Sequence, residues 1–360
     1  MIDQPNNKVL LVSHNSNLSG APISLAQLAR YLPSFGFSPL YLLPKPGPLE
    51  KMLKSWRINY KILKRFNAVF DYICIIKREN PALIHVNSLV KTWPVLVSRL
   101  LKKPVIWHVR EYLGNKKIYA KLIHLLSDCV VLISQEQFRL FNGMKKAVRI
   151  PNGVDITQFE NVQPVNILPK DTNARTIVTY LGSIELRKGL IILAKAAELL
   201  KNSPWIHYAV VGDVQKGHEK YKKEIINFLN EKGLYSRFHF LGYRSDIPDI
   251  LAITDVLCHP AFIEVFGRVV IEAMASGLPV IASKVGEMPK IVDDGRSGIL
   301  ISPGDYKALA KAIELIDSNK VLKQKMGMFG YKKVKREFSI EIHTQRIAQL
   351  YNKLLHERNC

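Results

Sequence analysis

The sequence predicts an α/β protein built from two Rossmann-like, doubly wound domains. Three observations carry this. Short β-branched runs, apolar on both faces, alternate with amphipathic stretches along the chain. The alternation breaks once, over residues 151–173, at Asn152-Gly153, Pro164 and Pro169. The 360 residues exceed one ordinary core and suit two domains of roughly 150–200 residues each.

Before the break, strands are expected at residues 9–13, 39–43, 83–86, 105–109, 129–133 and 147–150, with helical patterns at 23–35, 93–101 and 118–126. After it, strands are expected at 176–181, 206–211, 238–241, 256–259, 279–282 and 298–301. Helices at 189–201, 220–231, 246–253 and 269–276 separate them. The closing stretch 340–355 carries Ile347, Leu350, Tyr351, Leu354 and Leu355 at helical spacing. The expected units are residues 1–165, residues 166–338, and a last helix within 339–360. No sequence repeat relates the two halves. Open α/β sheets bind ligands beyond the carboxyl ends of their strands, so two such domains facing across a cleft direct attention to the post-strand loops.

Charge narrows the partners. Lys and Arg number 52 against 30 Asp and Glu, a net charge of +22. Residues 51–121 alone hold 16 basic and 3 acidic side chains. Such a field selects nucleic acid, an anionic membrane surface or phosphorylated small molecules. A nucleic-acid role rests on charge alone, because no recognition motif or stacking platform accompanies it. Lys51, Lys54, Arg57, Lys61, Lys64 and Arg65 alternate with Met52, Leu53, Trp56, Ile58, Ile62, Leu63 and Phe66. Lys116, Lys117 and Lys121 lead into a second apolar helix. That is the pattern of peripheral attachment to anionic lipid, though an ordinary basic helix on a soluble domain reads the same way.

Other classes drop out. No apolar run approaches the ~20 residues that span a bilayer. The polar start of the chain lacks a signal-peptide core, and Cys74, Cys129, Cys258 and Cys360 lie far apart, so a reducing cytoplasm is expected. Without Asp-x-Asp or a close His pair, no protein metal site is expected. Neither a GxGxxG fingerprint nor a Walker A loop is present.

Four stretches could carry chemistry. The densest runs from Glu264 through Val265, Phe266, Gly267 and Arg268 to Glu272, then Gly277 and Pro279. A helix opening near Gly267 would direct free N–H groups at a phosphate, and two carboxylates eight positions apart suit sugar hydroxyls. Isolated, such a pair is ordinarily a helix-start charge and a surface charge; the loop and its glycine argue otherwise. In the second stretch, Gly182 to Gly189, Arg187 offers a forked donor and Lys188 a point charge, a pair suited to a diphosphate. Bases are disfavoured at a helix N-terminus, which speaks against a merely structural role. The third, Asn15 to Pro22, is a small polar loop with Gly20, Ala21 and Pro22 at a helix start. The fourth places His108 at a strand end, with Arg110 and Glu111 beside it.

These residues resemble the signature of retaining family-4 glycosyltransferases (GT-B fold, glycosyl transferases group 1), of bacterial polysaccharide and lipid-glycan type. The specific block is Glu264-x7-Glu272 followed by Ala273-Met274-Ala275-Ser276-Gly277-Leu278-Pro279-Val280. Ser19-Gly20-Ala21 is similar to the family's N-terminal Gly-Gly loop, His108 to its first-domain His, and Ile150 to Asp155 to its interdomain segment. Arg187-Lys188-Gly189 is similar to its phosphate-binding bases.

The resemblance implies roles. Glu272 would hold ribose hydroxyls of a nucleotide sugar. Glu264, with backbone N–H groups around Val265, Phe266 and Gly267, would hold the transferred sugar. Arg187 and Lys188 would neutralise the diphosphate, Arg244 would lie by the nucleobase, Gly20 and Ala21 would line the donor site, and His108 would touch the sugar near the reacting centre. The last helix would cross back to the first domain. The implied donor is a UDP-hexose, glucose foremost, and the acceptor a lipid-linked or polysaccharide glycan. Configuration would be retained, with no metal and no cofactor. A nucleotide-sugar 2-epimerase or a phosphorylase of the same fold is the alternative, but neither is expected to carry the Glu-x7-Glu block. Ser19, Lys290 and Arg268 depart from the family pattern; Arg268 could add charge toward a phosphate or an acidic acceptor.

Overall fold

The computed structural model describes residues 7–64, 69–89, 92–114, 117–160, 162–165, 167–169 and 172–359. The expected Arg65, Phe66, Lys116 and Cys360 lie outside them. The chain divides into two compact units: residues up to Gly153 joined by those from Phe338 onward, and Val154–Glu337.

The first unit is built on a parallel sheet of β1 (Lys8–Val12), β2 (Ser38–Leu43), β3 (Tyr60–Ile62), β4 (Leu83–Asn87), β5 (Val105–Val109), β6 (Cys129–Leu132) and β7 (Ala147–Arg149), ordered β3-β2-β1-β4-β5-β6-β7. Strands β1, β4, β5 and β6 are buried almost throughout because helices cover both faces. One face packs under Val69–Glu79, Trp93–Leu100 and Lys117–Leu126, through Tyr72, Ile76, Val95, Val97, Ala120 and Ile123. The other packs under Gly20–Tyr31, Leu49–Ser55 and the closing helix Ile340–Asn359, whose Ile347, Ala348 and Tyr351 join the core of this unit. The last helix therefore returns to the first domain as expected.

The second unit holds β8 (Thr176–Leu181), β9 (Ile206–Val211), β10 (Phe238–Gly242), β11 (Val256–His259), β12 (Val280–Ser283) and β13 (Gly298–Ile301), ordered β10-β9-β8-β11-β12-β13 and parallel throughout. In each sheet the order reverses beside the first strand: between β1 and β4, and between β8 and β11. Those reversals are where a doubly wound sheet leaves a crevice for ligand.

Two expectations need correction. The boundary falls at Gly153 rather than residue 165, because Val154 and Ile156 are buried and the turn Ile156–Phe159 packs on the second-unit helices Ile247–Ala252 and Arg268–Ala275. The described part of the basic stretch, residues 51–64, does not present an apolar face. Leu53, Ile58 and Leu63 are buried, and Met52, Trp56 and Ile62 pack against the core. Exposed apolar side chains lie instead on the two later helices: Trp93, Leu96 and Leu100, then Ile118, Leu122 and Leu125. Among the described residues no helix is long and apolar enough to cross a membrane.

Candidate active site

In the second unit, the loops after β8 and β11 meet at the reversal of strand order. The β8 loop ends in a single turn, Leu186–Lys188, closed by Gly189 at φ +71°. A Cβ on Gly189 would stand 2.0 Å from the carbonyl oxygen of Pro260, so only glycine lets the two loops touch here. The Phe262 N–H donates to the Arg187 carbonyl at 2.8 Å and ties them further.

The contact brings charge together. Lys188 Nζ donates to Glu264 Oε2 at 2.5 Å, and His259 Nε2 reaches the same oxygen at 3.0 Å. The Val265 N–H donates to Glu264 Oε1 at 3.0 Å. Burial alone would raise the Glu264 carboxyl, but the Lys188 ammonium and the His259 contact hold it well below the usual carboxylate range. Burial pushes His259 down, so it stays neutral and donates Nε2–H to that carboxylate. Arg187 is engaged as well: its Nε and Nη2 fork onto Glu185 at 2.9 and 2.8 Å, and Ser183 Oγ donates to the same carboxylate. Sequence reasoning gave no role to Glu185 or His259: Glu185 lies in the stretch Gly182 to Gly189 and binds Ser183 and Arg187 of its own loop, and His259 ends the strand that leads into the Glu264 loop.

The helix Arg268–Ala275 opens on Gly267, at φ +83°, with no side-chain cap. Phe266 is buried beneath it. One turn on, Arg268 donates through Nε and Nη2 to Glu272 Oε1 at 3.0 and 2.6 Å. Both side chains are largely buried. Arg244 forks onto Asp246 on the loop after β10.

In the first unit, His108 is the fourth residue of β5 and fully buried. Its Nδ1 lies 3.1 Å from His85 Nε2 and 3.4 Å from Arg110 Nη2. His85 Nδ1 lies 2.6 Å from the Tyr351 hydroxyl of the closing helix. Arg110 Nε donates to Asn87 Oδ1 at 2.6 Å, and Asn87 Nδ2 donates to the Ala21 carbonyl at 3.1 Å. Gly20 and Ala21 thus open the helix Gly20–Tyr31 beside the same network, with Pro22 in its first turn. A third imidazole, His343, bonds through Nδ1 to the Pro151 carbonyl at 2.7 Å, its ring 6.1 Å from that of His108. Burial, then Arg110, lowers the basicity of all three, His343 to about 3. Glu111 accepts the backbone N–H groups of Leu89 and Arg110 at 3.1 and 3.2 Å, together with the hydroxyl of Ser88, whose φ of +85° is a strained value for a residue with a side chain.

Two family models match the chain. The model for glycosyl transferases group 1 matches residues 166–333, and that for glycosyltransferase family 4 matches residues 18–158. The chain belongs to glycosyltransferase family 4.

The enzyme is similar along its length to curated relatives. It is 25% identical to a UDP-Gal:alpha-D-GlcNAc-diphosphoundecaprenol alpha-1,3-galactosyltransferase of Escherichia coli, over 93% of this chain and 94% of that one. It is 28% identical to the lipopolysaccharide core mannosyltransferase LpsB of Rhizobium meliloti, over 99% and 100%. Among solved structures, Anabaena HepE in complex with UDP and glucose superposes with a TM-score of 0.83, at 22% identity over 96% of this chain and 99% of that one. The glycosyltransferase thus has the GT-B fold that its sequence motifs imply.

Proposed function

We propose that this glycosyltransferase moves a hexose, glucose foremost, from a UDP-sugar to a lipid-linked or polysaccharide acceptor in cell-envelope glycan synthesis, with retention of configuration and without a metal ion. The observation that carries the reading is the Lys188–Glu264–His259 cluster at the strand-order reversal of the second sheet. A nucleoside diphosphate leaves with negative charge growing on its β-phosphate. Arg187 and Lys188 answer that charge, assisted by the helix opening at Gly267. In this structure each base is already held by a carboxylate, Glu185 and Glu264. Diphosphate entry would therefore draw Lys188 off Glu264, releasing that carboxylate to accept hydrogen bonds from sugar hydroxyls. Glu272 takes the ribose hydroxyls once Arg268 turns away. Arg244 is assigned to the base and His108 to the sugar, as the family pattern implies.

Support for a UDP-hexose comes from two similar proteins: the E. coli relative is a UDP-Gal enzyme, and HepE was solved with UDP and glucose. The test is a thermal-shift screen of nucleotide sugars. UDP-glucose at 100 times its Kd adds about 2.7 kcal/mol of stability. No shift with UDP, UDP-glucose or UDP-galactose would remove the donor assignment, and turnover abolished by EDTA would remove the metal-free one.

We further propose that the enzyme works as a peripheral protein on the inner face of the plasma membrane, through the first unit. The support is a surface on which Trp93, Leu100, Ile118 and Leu125 stand exposed beside Lys117 and Lys121. Cosedimentation with anionic but not neutral vesicles, reversed by salt, is the expected result. Equal recovery with both would remove this part of the reading.

A further inference from the structure

The hydrogen-bond chain from Tyr351 to His108 has a direction, and Arg110 sets it. A guanidinium has donors and no acceptor. Its approach to His108 Nδ1 at 3.4 Å therefore requires a lone pair on that nitrogen. The same lone pair faces His85 Nε2 at 3.1 Å, so Nε2 of His85 carries the proton. Neutral imidazole has one N–H, which leaves His85 Nδ1 unprotonated, ready to accept the Tyr351 hydroxyl at 2.6 Å. The reverse polarity would place an N–H on His108 Nδ1 directly against the Arg110 donor. His108 is left with its proton on Nε2, an atom that is buried and has no hydrogen-bond partner among the described residues. An unanswered buried N–H is costly, and such groups are rare unless a ligand answers them.

We propose that Tyr351 and His85 are positioning residues that fix His108 as its Nε2–H tautomer, so that His108 acts as a hydrogen-bond donor to a hydroxyl oxygen of the transferred sugar and neither as a general base nor as a cation. This rests on the donor-sugar reading above for the identity of the oxygen, but the tautomer itself does not. The groups around His108 favour the neutral form: His85 and His343 flank it, Arg110 bears on it, and burial is complete. Burial also keeps the Tyr351 phenol protonated, so it remains a donor. The chain draws on β4, β5 and the closing helix, three elements whose relative positions the fold fixes within one unit.

Two measurements test it. The long-range proton–nitrogen NMR spectrum of imidazole-labelled enzyme, assigned with His108→Gln, is expected to show His108 protonated at Nε2 and bare at Nδ1. A proton on Nδ1, or on both nitrogens at neutral pH, would overturn the proposal whatever the substrate. Calorimetry with UDP-glucose and with UDP then reads the consequence. Tyr351→Phe keeps the ring against Phe37, 5.2 Å away edge to face, and removes only the hydroxyl. It is expected to weaken UDP-glucose by about fivefold, one modest hydrogen bond, and to leave UDP unchanged. His108→Ala should match or exceed that loss, and His108→Gln, whose amide keeps a donor, should recover part of it. Equal weakening of UDP and UDP-glucose in Tyr351→Phe would overturn the positioning role. Failure of the wild type to bind either nucleotide would instead strike the donor reading, with the spectrum still deciding the tautomer.

Discussion

The Lys188 ammonium stands 2.5 Å from the Glu264 carboxylate, and neither side chain is more than 15% exposed. A charge pair so enclosed is expensive to break from one side, because the partner left behind stays buried. Lys188→Ala is therefore expected to cost about 3 kcal/mol or more in urea unfolding, as well as nucleotide affinity. A loss under 1 kcal/mol would show that Glu264 finds another partner.

Glu264 also gives the fold an acid limit. Its folded carboxyl lies below the unfolded value of 4.5, so the unfolded chain takes up that proton first. The stabilisation is complete above pH 4.5 and is lost progressively as pH falls below it. Glu264→Gln should be less stable at neutral pH, yet show a flatter fall below pH 4.5 than the wild type. Parallel curves for the two proteins would contradict this.

The histidines act at milder pH. His85, His108, His259 and His343 are all held below the usual imidazole value of 6.5, with burial the largest cause in each. Below that value the unfolded chain binds protons that the folded one refuses. Stability should fall as pH drops from 6.5, by about 1.4 kcal/mol per pH unit for each imidazole that stays neutral. For His343 the window extends down to about 3. Unfolding free energies at pH 7, 6 and 5 check the slope; a flat profile would show protonated imidazoles in the native state.

Gly189 offers a steric test. Gly189→Ala places a methyl 2.0 Å from the Pro260 carbonyl oxygen, at a φ of +71°. The two loops must part, at an expected cost of about 2 kcal/mol or more. Because the same contact assembles Lys188 with Glu264, UDP affinity should fall with stability. Gly217→Ala serves as the control: it has positive φ too, but open space around the added carbon.

On the proposed ribose role of Glu272, Glu272→Ala should weaken UDP about tenfold or more, and it should also cost stability because it removes the carboxylate that answers the largely buried Arg268. Arg268→Ala leaves that carboxylate in place and should weaken UDP less. Isothermal titration of the two variants decides the order.

Much of the fold was legible because parallel strands buried on both faces read as short apolar runs. Val105–Val109, Thr176–Leu181, Ile206–Val211, Val256–His259 and Gly298–Ile301 match expectation to the residue. Tyr60–Ile62 escaped because it is three residues long, sits at the sheet edge and carries Lys61 in the middle. The helices Tyr306–Ser318 and Lys320–Glu337 also went unplaced, the second being lysine-rich with little apolar patterning. In the site, the stretches holding Lys188, Glu264 and His108 were legible as post-strand loops or strand ends. Their partners were not: Tyr351 meets His85 across 266 residues of sequence, and Tyr351 itself reads only as one more apolar position on a helix. The basic segment misled because alternating Lys and apolar residues describe a half-buried element as well as a membrane-facing one. Only packing shows which side of Trp56 meets the core.

The return of the helix Ile340–Asn359 to the first unit bears on the order of synthesis. The second unit is continuous from Val154 to Glu337, so a growing chain holds all of it while the earlier unit still lacks one wall. Domains ordinarily finish in the order they are made. Here the unit that starts first is finished last, and Tyr351 and His343 arrive with its final segment. A chain released one helix early would keep Lys188, Glu264 and His259 and yet have no Tyr351 hydroxyl for His85 Nδ1.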